Sequence, residues 1–450
     1  GVVDEGLWRE KPGARGVLST GNQYSPRGGV PAILRVGGDV FVAAASHAVN
    51  GSVDVYKLNG ADFTLVSGPV PVLASTTSWT ICNAGATVYG KQVARPTLAS
   101  NGSTLAVGAI TGSLQNPQAT CCAVGVGNDV HTLRSSFALI STSLGPVTAG
   151  TLASSSLNGC TDLTLTSGGN TGNRTVRPAM AWNPTTSNWI ATWWDNVGVG
   201  TPPFTLRFST VNPDGGVNGA RPVFNIVPNE ARASFNFSDP HNNAPSTVVV
   251  GSRSVLFAWV NDLMAPLNNT THVRWMTYDT ALTAPSLPMP GMWGFNSQTT
   301  PLGNRRPRLD PPSFDGQFFR VVVTSGSSSL GSDDTKVLFI DEDGVLQLTR
   351  SLEEVNNPLG GTNDGYSAAG GTGVAFPGAG LIGVFNKDTY VRVKYGTLAA
   401  DAGTLQNTDV NLGQPTNQRT DFAVAPLSSS SVGVVWADGD LRKTIFECSP

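Results

Sequence analysis

Charge is scarce in this chain: only 13% of its 450 residues are Asp, Glu, Lys or Arg, and 28 basic residues against 31 acidic ones leave a formal net charge of -3. That balance supplies no basic field for nucleic acid or for an anionic membrane surface, and both partners are excluded on that ground. Long apolar runs are missing as well. No stretch approaches the roughly 20 apolar residues needed to cross a bilayer, so no membrane insertion is expected. The chain begins at Gly1 without a charged and apolar leader and reads as a processed mature form. No G-x-S-x-G elbow, H-E-x-x-H pair or phosphate-cradling glycine motif is present, so no local signature of catalysis is available. Residues that favour helices are few, while Gly (52) and Pro (30) are plentiful.

What is present is repetition. A short apolar strand that ends in a polar turn recurs as Trp189 to Asp195, Val255 to Asn261 and Val432 to Asp438. A unit that recurs every several tens of residues is a sheet that cannot bury its own faces and must stack on its neighbours. The pattern predicts an all-β fold, a seven-bladed β-propeller of four-stranded antiparallel blades, with the whole of residues 1–450 as one domain.

The seven copies are read as follows. The first uses Pro31 to Val36, Val40 to Ala45 and Val53 to Leu58, with a turn at Asn59-Gly60. The second uses Arg95-Pro96 to Ala99, Thr104 to Ile110 and Ser136 to Ile140. The third uses Arg177-Pro178 to Trp182, Trp189 to Asp195 and Phe204 to Val211, with Asp214-Gly215. The fourth uses Ser246 to Val250, Ser254 to Val260 and His272 to Tyr278. The fifth uses Arg306-Pro307 to Leu309, Phe318 to Thr324 and Lys336 to Ile340, with Asp343-Gly344. The sixth uses Gly373 to Phe376, Gly380 to Phe385 and Tyr390 to Tyr395, and the seventh Phe422 to Ala425, Ser431 to Trp436 and Thr444 to Phe446. The seventh copy stops one strand short. Ala14 to Thr20 precedes the first copy with no other use, so the N-terminal strand is expected to complete the last blade and remove its open edge.

These copies resemble the tandem repeats of secreted bacterial propeller proteins, in which a P-x-x-A strand precedes a V-V-W-x-D strand and a D-G turn. The matching residues are Pro178 to Ala181, Trp193 to Asp195 and Asp214-Gly215, followed by Trp436 to Asp438. The resemblance extends over most of the chain and implies an extracellular or envelope-exposed module, secreted or on the cell surface, without a catalytic set. The Asp-box of sialidases and the Gly-His and Trp-Asp signature of intracellular WD repeats are both missing.

Strand order sends the turn between second and third strands, and the connection to the next blade, to one face. The long segments Ser67 to Ala94, Thr111 to Thr132, Val147 to Val176, Val217 to Ala244 and Ala281 to Arg305 all belong there, so binding is expected on that side. Cys82, Cys121, Cys122 and Cys160 fall in three of these segments, which suggests two disulfides: Cys82 to one member of the pair and Cys160 to the other, or a vicinal bridge within Cys121-Cys122. Cys448 is left over by count. His47, His131, His241 and His272 are directed to the same face, as a transition-metal site or as separate loop histidines bonded to backbone.

Arg95, Arg177, Arg306 and Arg419 stand where innermost strands begin, and Asp195, Asp262, Asp388 and Asp438 stand at or just after the ends of second strands. Gathered at the channel mouth, the guanidinium groups suit an anion, and the carboxylates suit sugar hydroxyls or calcium, the one cofactor the sequence suggests. Paired across blades, the two sets would instead weld the ring. Trp193, Trp259 and Trp436 share one repeat position and read as fillers between blades. Trp79 and Trp293, with Trp8, read as stacking platforms for sugar rings or as further packing. The leading reading is a module that binds a glycan or an extracellular protein. A carbohydrate-active enzyme using channel-mouth carboxylates, and a self-assembling structural subunit, are the competing classes.

Overall fold

The computed structural model describes residues 7–24, 31–46, 51–74, 81–83, 86–88, 93–115, 130–158, 178–196, 204–224, 246–262, 271–294, 308–309, 311–325, 334–353, 372–378, 380–387, 390–397, 406–410, 412 and 422–449. They form seven antiparallel sheets set as blades around a ring, as the repeats predict. Six sheets run from an innermost to an outermost strand in chain order, and the seventh takes its outermost pieces from the N-terminal residues. Blade 1, for example, is Ala32–Val36, Asp39–Ser46, Ser52–Asn59 and Leu65–Ala74. Blade 3 is Ala179–Asn183, Asn188–Asn196, Phe204–Val211 and the two-residue Arg221–Pro222.

The second strands are apolar on both faces, which is the mark of a sheet covered on both sides. Asp39–Ser46 is buried along almost its whole length. The buried side chains sort into seven clusters, one in each seam between adjacent blades. Ala179, Ile190 and Phe208 of blade 3, for instance, meet Val255, Phe257 and Trp259 of blade 4, and Val432, Val434 and Trp436 of blade 7 meet Ile382 and Val384 of blade 6. Trp193, Trp259 and Trp436 are 1%, 2% and 0% exposed, and each faces the preceding blade.

Closure follows the expected principle with a longer strand than expected. Two pieces, Leu7–Glu10 and Gly16–Tyr24, both pair antiparallel with the last strand, Gly439–Ser449. Pro12 and the left-handed Gly13 (φ 75°) separate them; Pro12 has no amide hydrogen to give a ladder. Glu10 anchors the break: its carboxylate accepts from Thr444 Oγ1 at 2.7 Å and from Arg15 Nη2 at 2.6 Å. Trp8 is no exposed platform. It is 5% exposed, inside the cluster between blades 6 and 7, with its ring centroid 6.4 Å from that of Tyr395.

The fourth strands account for the largest departure from the sequence reading. Leu65–Ala74, Val147–Asn158, Arg221–Pro222 and Gly291–Gly294 are the outermost strands of blades 1 to 4. Three lie wholly inside segments expected to be loops, and Leu65–Ala74 enters the segment Ser67 to Ala94 two residues after its start. An outermost strand has one free edge and few buried positions, so its side chains are polar enough to read as connection. The strands of blade 2 also run on, as Thr104–Gln115 and Val130–Ser141, into the expected loop Thr111 to Thr132.

The turns from third to outermost strands share one geometry. The residue that adopts left-handed backbone is Phe63 (φ 62°), Leu144 (φ 57°), Gly215 (φ 92°), Leu282 (φ 57°) or Gly344 (φ 85°) in blades 1 to 5. In blade 1 the strained residue is therefore Phe63, and Asn59-Gly60 only opens the turn, with the Phe63 amide donating to the Asn59 carbonyl at 2.8 Å. Phe63 and Leu282 are buried against the preceding blade and Leu144 is partly so. A side chain at Gly215 would strike Thr148 of blade 2, and one at Gly344 would strike Thr277 and Leu287 of blade 4. The local clearance from the preceding blade therefore selects glycine or an apolar plug.

Two outcomes are expected. Trp8→Ala costs about 3–5 kcal/mol, as for other large buried aromatics, read as a fall in the thermal midpoint of the full chain. Phe63→Gly costs about 2–4 kcal/mol because loss of the plug outweighs relief of left-handed strain, whereas Leu144→Gly stays within about 1 kcal/mol of the parent. Equal losses at Phe63 and Leu144 would overturn the account of the turns.

Candidate functional site

Innermost strands begin, and second strands end, on the same face of the ring. From it depart the connections between blades, 75–92, 159–177, 225–245, 295–307, 354–371 and 411–421, and the turn segments 116–129, 197–203, 263–270 and 326–333 within blades 2 to 5. A small hairpin, Ile81–Asn83 with Ala86–Val88, occupies part of the first.

Among the described residues the opposite face is made of the turns from first to second and from third to outermost strands, and it includes 217–220 and 281–290, which the sequence reading assigned to the connection-bearing face; these turns join the blades. Backbone carbonyls of a turn accept donors from the blade before it: Phe63 O from Lys443 Nζ at 2.7 Å, Thr142 O from Lys57 Nζ at 3.3 Å, Thr280 O from Asn183 Nδ2 at 2.6 Å, and Gly344 O from Trp275 Nε1 at 2.8 Å. Across the seam between blades 4 and 5, Glu342 accepts from the Arg253 amide at 2.7 Å while Asp343 meets the Arg253 guanidinium at 2.8 Å. Burial pushes the Lys443 ammonium below the usual lysine range, an effect Asp62 partly offsets.

On the connection-bearing face, the ring order brings several of the expected residues to one rim. Asp195 and Asp262 occupy the ends of the second strands of blades 3 and 4, opposite Thr205 and Thr271. Asp438 sits in the tight turn between Ser431–Ala437 and Gly439–Ser449 of blade 7. It accepts from Arg442 Nε at 2.9 Å, and Asp440 meets Arg442 Nη2 at 3.3 Å. Two carboxylates on one guanidinium make a charge-paired turn within blade 7. Arg95 lies in the innermost strand of blade 2, Val93–Ser100. His131 and His272 lie near the starts of third strands, and Cys82 is in the small hairpin. Trp293 is in the outermost strand of blade 4, half-buried against the cluster shared with blade 5. Arg177, Arg306, Arg419, Asp388, Trp79, His47, His241, Cys121, Cys122 and Cys160 lie outside the described residues. Among the described residues no three His, Cys, Asp or Glu side chains converge as a metal site, and no helix is long and apolar enough to cross a membrane.

The structure also displays a polar position that sequence reading passes over. The third-strand residue paired with the second-strand tryptophan is Arg207 opposite Trp193, Arg274 opposite Trp259 and Arg442 opposite Trp436. The same place holds Lys336 opposite Val323, Arg392 opposite Phe385, Ser136 opposite Ala109 and Asp54 opposite Ala44. Residues directly opposed in an antiparallel pair share a sheet face, so every seam carries one polar group a few residues below the connection-bearing rim. At Ser136 it is satisfied by Thr111 Oγ1 at 2.6 Å, and at Asp54 by Ser52 Oγ, 2.6 Å away. Spacing from the tryptophan varies with the intervening turn and conceals the pattern. Counting back from the next turn exposes it, since Asp54, Ser136, Arg207, Arg274 and Lys336 each precede a turn-opening Asn59, Ser141, Asn212, Asp279 or Asp341 by the same interval.

No family model and no curated protein matches the chain. Solved structures share its build at low identity. The chain is similar to a protein of unknown function from Dyadobacter fermentans (10% identity, TM-score 0.47, covering 98% of this chain and 99% of that one). It is also similar to the BP39L lectin from Burkholderia pseudomallei (12%, 0.46, 94% and 97%) and to the Dos1 propeller (11%, 0.44, 97% and 95%). Likeness at this level decides nothing about a ligand or a reaction.

The turn face sets the acid response. The Thr64 hydroxyl and amide hold Asp62 below the usual carboxylate range, the Thr283 hydroxyl does so for Asp279, and the Arg253 guanidinium for Asp343. At Asp315 burial works upward, but the Phe318 and Gln317 amides and Arg320 outweigh it. A carboxylate depressed on folding stabilises the fold above its unfolded pKa and loses that contribution as pH falls through the folded value. The thermal midpoint is therefore expected to hold from pH 7 to about 5 and to drop below about pH 4; a decline that begins near pH 6 would contradict this.

Proposed function

We propose that this protein is an exported or surface-displayed propeller that binds a glycan through its connection-bearing face. One observation carries the reading: the longest segments between strands, 159–177, 225–245 and 354–371, all depart from that face, while the described turns of the other are spent on hydrogen bonds and plugs between blades. Loops on a rigid scaffold are free to carry recognition when the scaffold does not need them.

The composition of the connections supports a sugar over a nucleic acid or a lipid. Segment 159–177 is rich in Gly, Thr and Asn with Asp162, Arg174 and Arg177 as its charges, and 354–371 in Gly, Asn and Ala around Tyr366 with Glu354 and Asp364 as its charges. Hydroxyls and amides both donate and accept, which matches sugar hydroxyls without a charge to neutralise. Trp79, Tyr89, Phe235, Phe237 and Tyr366 add aromatic faces for the apolar side of a pyranose. The resemblance to secreted bacterial repeat propellers and the disulfides expected of Cys82, Cys121, Cys122 and Cys160 agree with a place outside the cytoplasm.

The test is binding of the full chain to a glycan array, repeated with Trp79→Ala and Trp293→Ala. Trp79→Ala is expected to weaken binding about tenfold, the loss of roughly 1.4 kcal/mol of stacking, with an unchanged thermal midpoint. Trp293→Ala, which removes a side chain packed between blades 4 and 5, is expected to lower the midpoint first. Absence of any glycan ligand together with capture of a defined protein partner would replace this reading, and cleavage of a bound glycan would move it to the enzyme class.

A further inference from the structure

Two methionines, Met289 and Met292, are exposed, at 55% and 52%, where the chain enters and forms the outermost strand of blade 4. Met292 stands directly opposite Arg274 in the ladder, and Arg274 Nη2 lies 3.8 Å from its sulfur as donor. Arg274 is only 8% exposed, so its guanidinium is held in the seam while Met292 faces solvent. The next two blades repeat this pairing with different chemistry. The residue set against the third-strand cation is Ser351 opposite Lys336 in blade 5 and Asp409 opposite Arg392 in blade 6. Blade 4 thus places a thioether, a weak acceptor, at a ladder position that holds Pro222 in blade 3, Ser351 in blade 5 and Asp409 in blade 6.

We propose that Met292 is a site of reversible oxidation by peroxide, and that its sulfoxide oxygen takes the hydrogen bond offered by Arg274. The sulfur lone pair attacks one peroxide oxygen; an S–O bond forms, the O–O bond breaks, and the departing hydroxide takes the proton of the transferred oxygen to leave as water. Sulfur loses two electrons and peroxide gains them, so the forward step needs no other oxidant; the reverse step, catalysed by methionine sulfoxide reductase, takes two electrons from a dithiol, which becomes a disulfide, and releases the oxygen as water. Sulfoxide formation ordinarily disrupts packing because it sets a polar oxygen among apolar groups. At Met292 the new oxygen meets a cationic donor, and such charge-assisted bonds are the stronger class.

The full chain is treated with graded hydrogen peroxide, mapped by peptide mass at Met289 and Met292, melted, and then treated with methionine sulfoxide reductase. Comparison of Met289→Leu with the double variant Met289→Leu, Met292→Leu under the same treatment assigns any shift to Met292. Oxidation at Met292 is expected to raise the midpoint by about 1–2 °C, and the reductase to return it. Met292→Gln, which sets a carbonyl oxygen at similar reach, is expected to melt at or above the parent. A lower midpoint on oxidation of Met292, a lower midpoint for Met292→Gln, or a Met292 that stays reduced while Met289 is oxidised would each overturn the proposal.

Discussion

Everything in this molecule depends on the seam between one blade and the next. A four-stranded sheet with both faces apolar has no stable existence alone, and each of the seven buried clusters is shared by two blades. The requirement propagates around the ring until it meets itself, so one seam must be made between the two ends of the chain. There Val40, Val42 and Phe63 of blade 1 meet Val435, Leu441 and Ile445 of blade 7. The N-terminal pieces add an outermost strand to blade 7, and Trp8 lends its ring to the seam on the other side. Closure is thus a matter of side-chain burial as much as of strand pairing.

The seam also governs backbone conformation at the turns. A side chain in left-handed backbone costs roughly 1–2 kcal/mol, which a buried Phe63 or Leu282 recovers by filling space against the previous blade. Where Thr148 or Leu287 already fills that space, only glycine fits. The same neighbour contact therefore explains both the presence of Asp-Gly turns in blades 3 and 5 and their replacement in blades 1 and 4.

That dependence marks what was legible in the sequence. The second strands were legible because burial on two faces makes them apolar throughout, and the blade count follows from them. Trp193, Trp259 and Trp436 could be assigned to packing from their common repeat position. The outermost strands could not be seen: Val147–Asn158 carries the Ser, Thr and Gly of an exposed edge and reads as loop. The turn at Asn59-Gly60 was legible, but its left-handed residue, Phe63, was not, because a neighbouring blade selects it. Trp8 misled for a similar reason, since its partner Tyr395 lies at the far end of the chain. Of the candidate site, the sequence gives the face and the rim positions of Asp195, Asp262 and Asp438, whereas the polar residue in each seam emerges only from strand register.

The division between the faces follows from the same constraint. Turns that accept hydrogen bonds from the preceding blade cannot lengthen without releasing Lys57, Asn183, Trp275 or Lys443 from its acceptor. On the other face the bonds between blades fall beside the connections, as where Thr97 Oγ1 of blade 2 donates to the Pro178 carbonyl of blade 3 at 2.9 Å, and loop length there is inexpensive because closure entropy grows only slowly with length. Insertions tolerated by the ring therefore accumulate on one side. The polar groups just below that rim then have a structural role of their own: Arg442 with Asp438 and Asp440 in blade 7, and Ser136 with Thr111 in blade 2, end the apolar seams they face before those reach solvent. A buried polar group is tolerated only when satisfied, so these pairs fix strand register at the level where the scaffold stops and the variable chain begins.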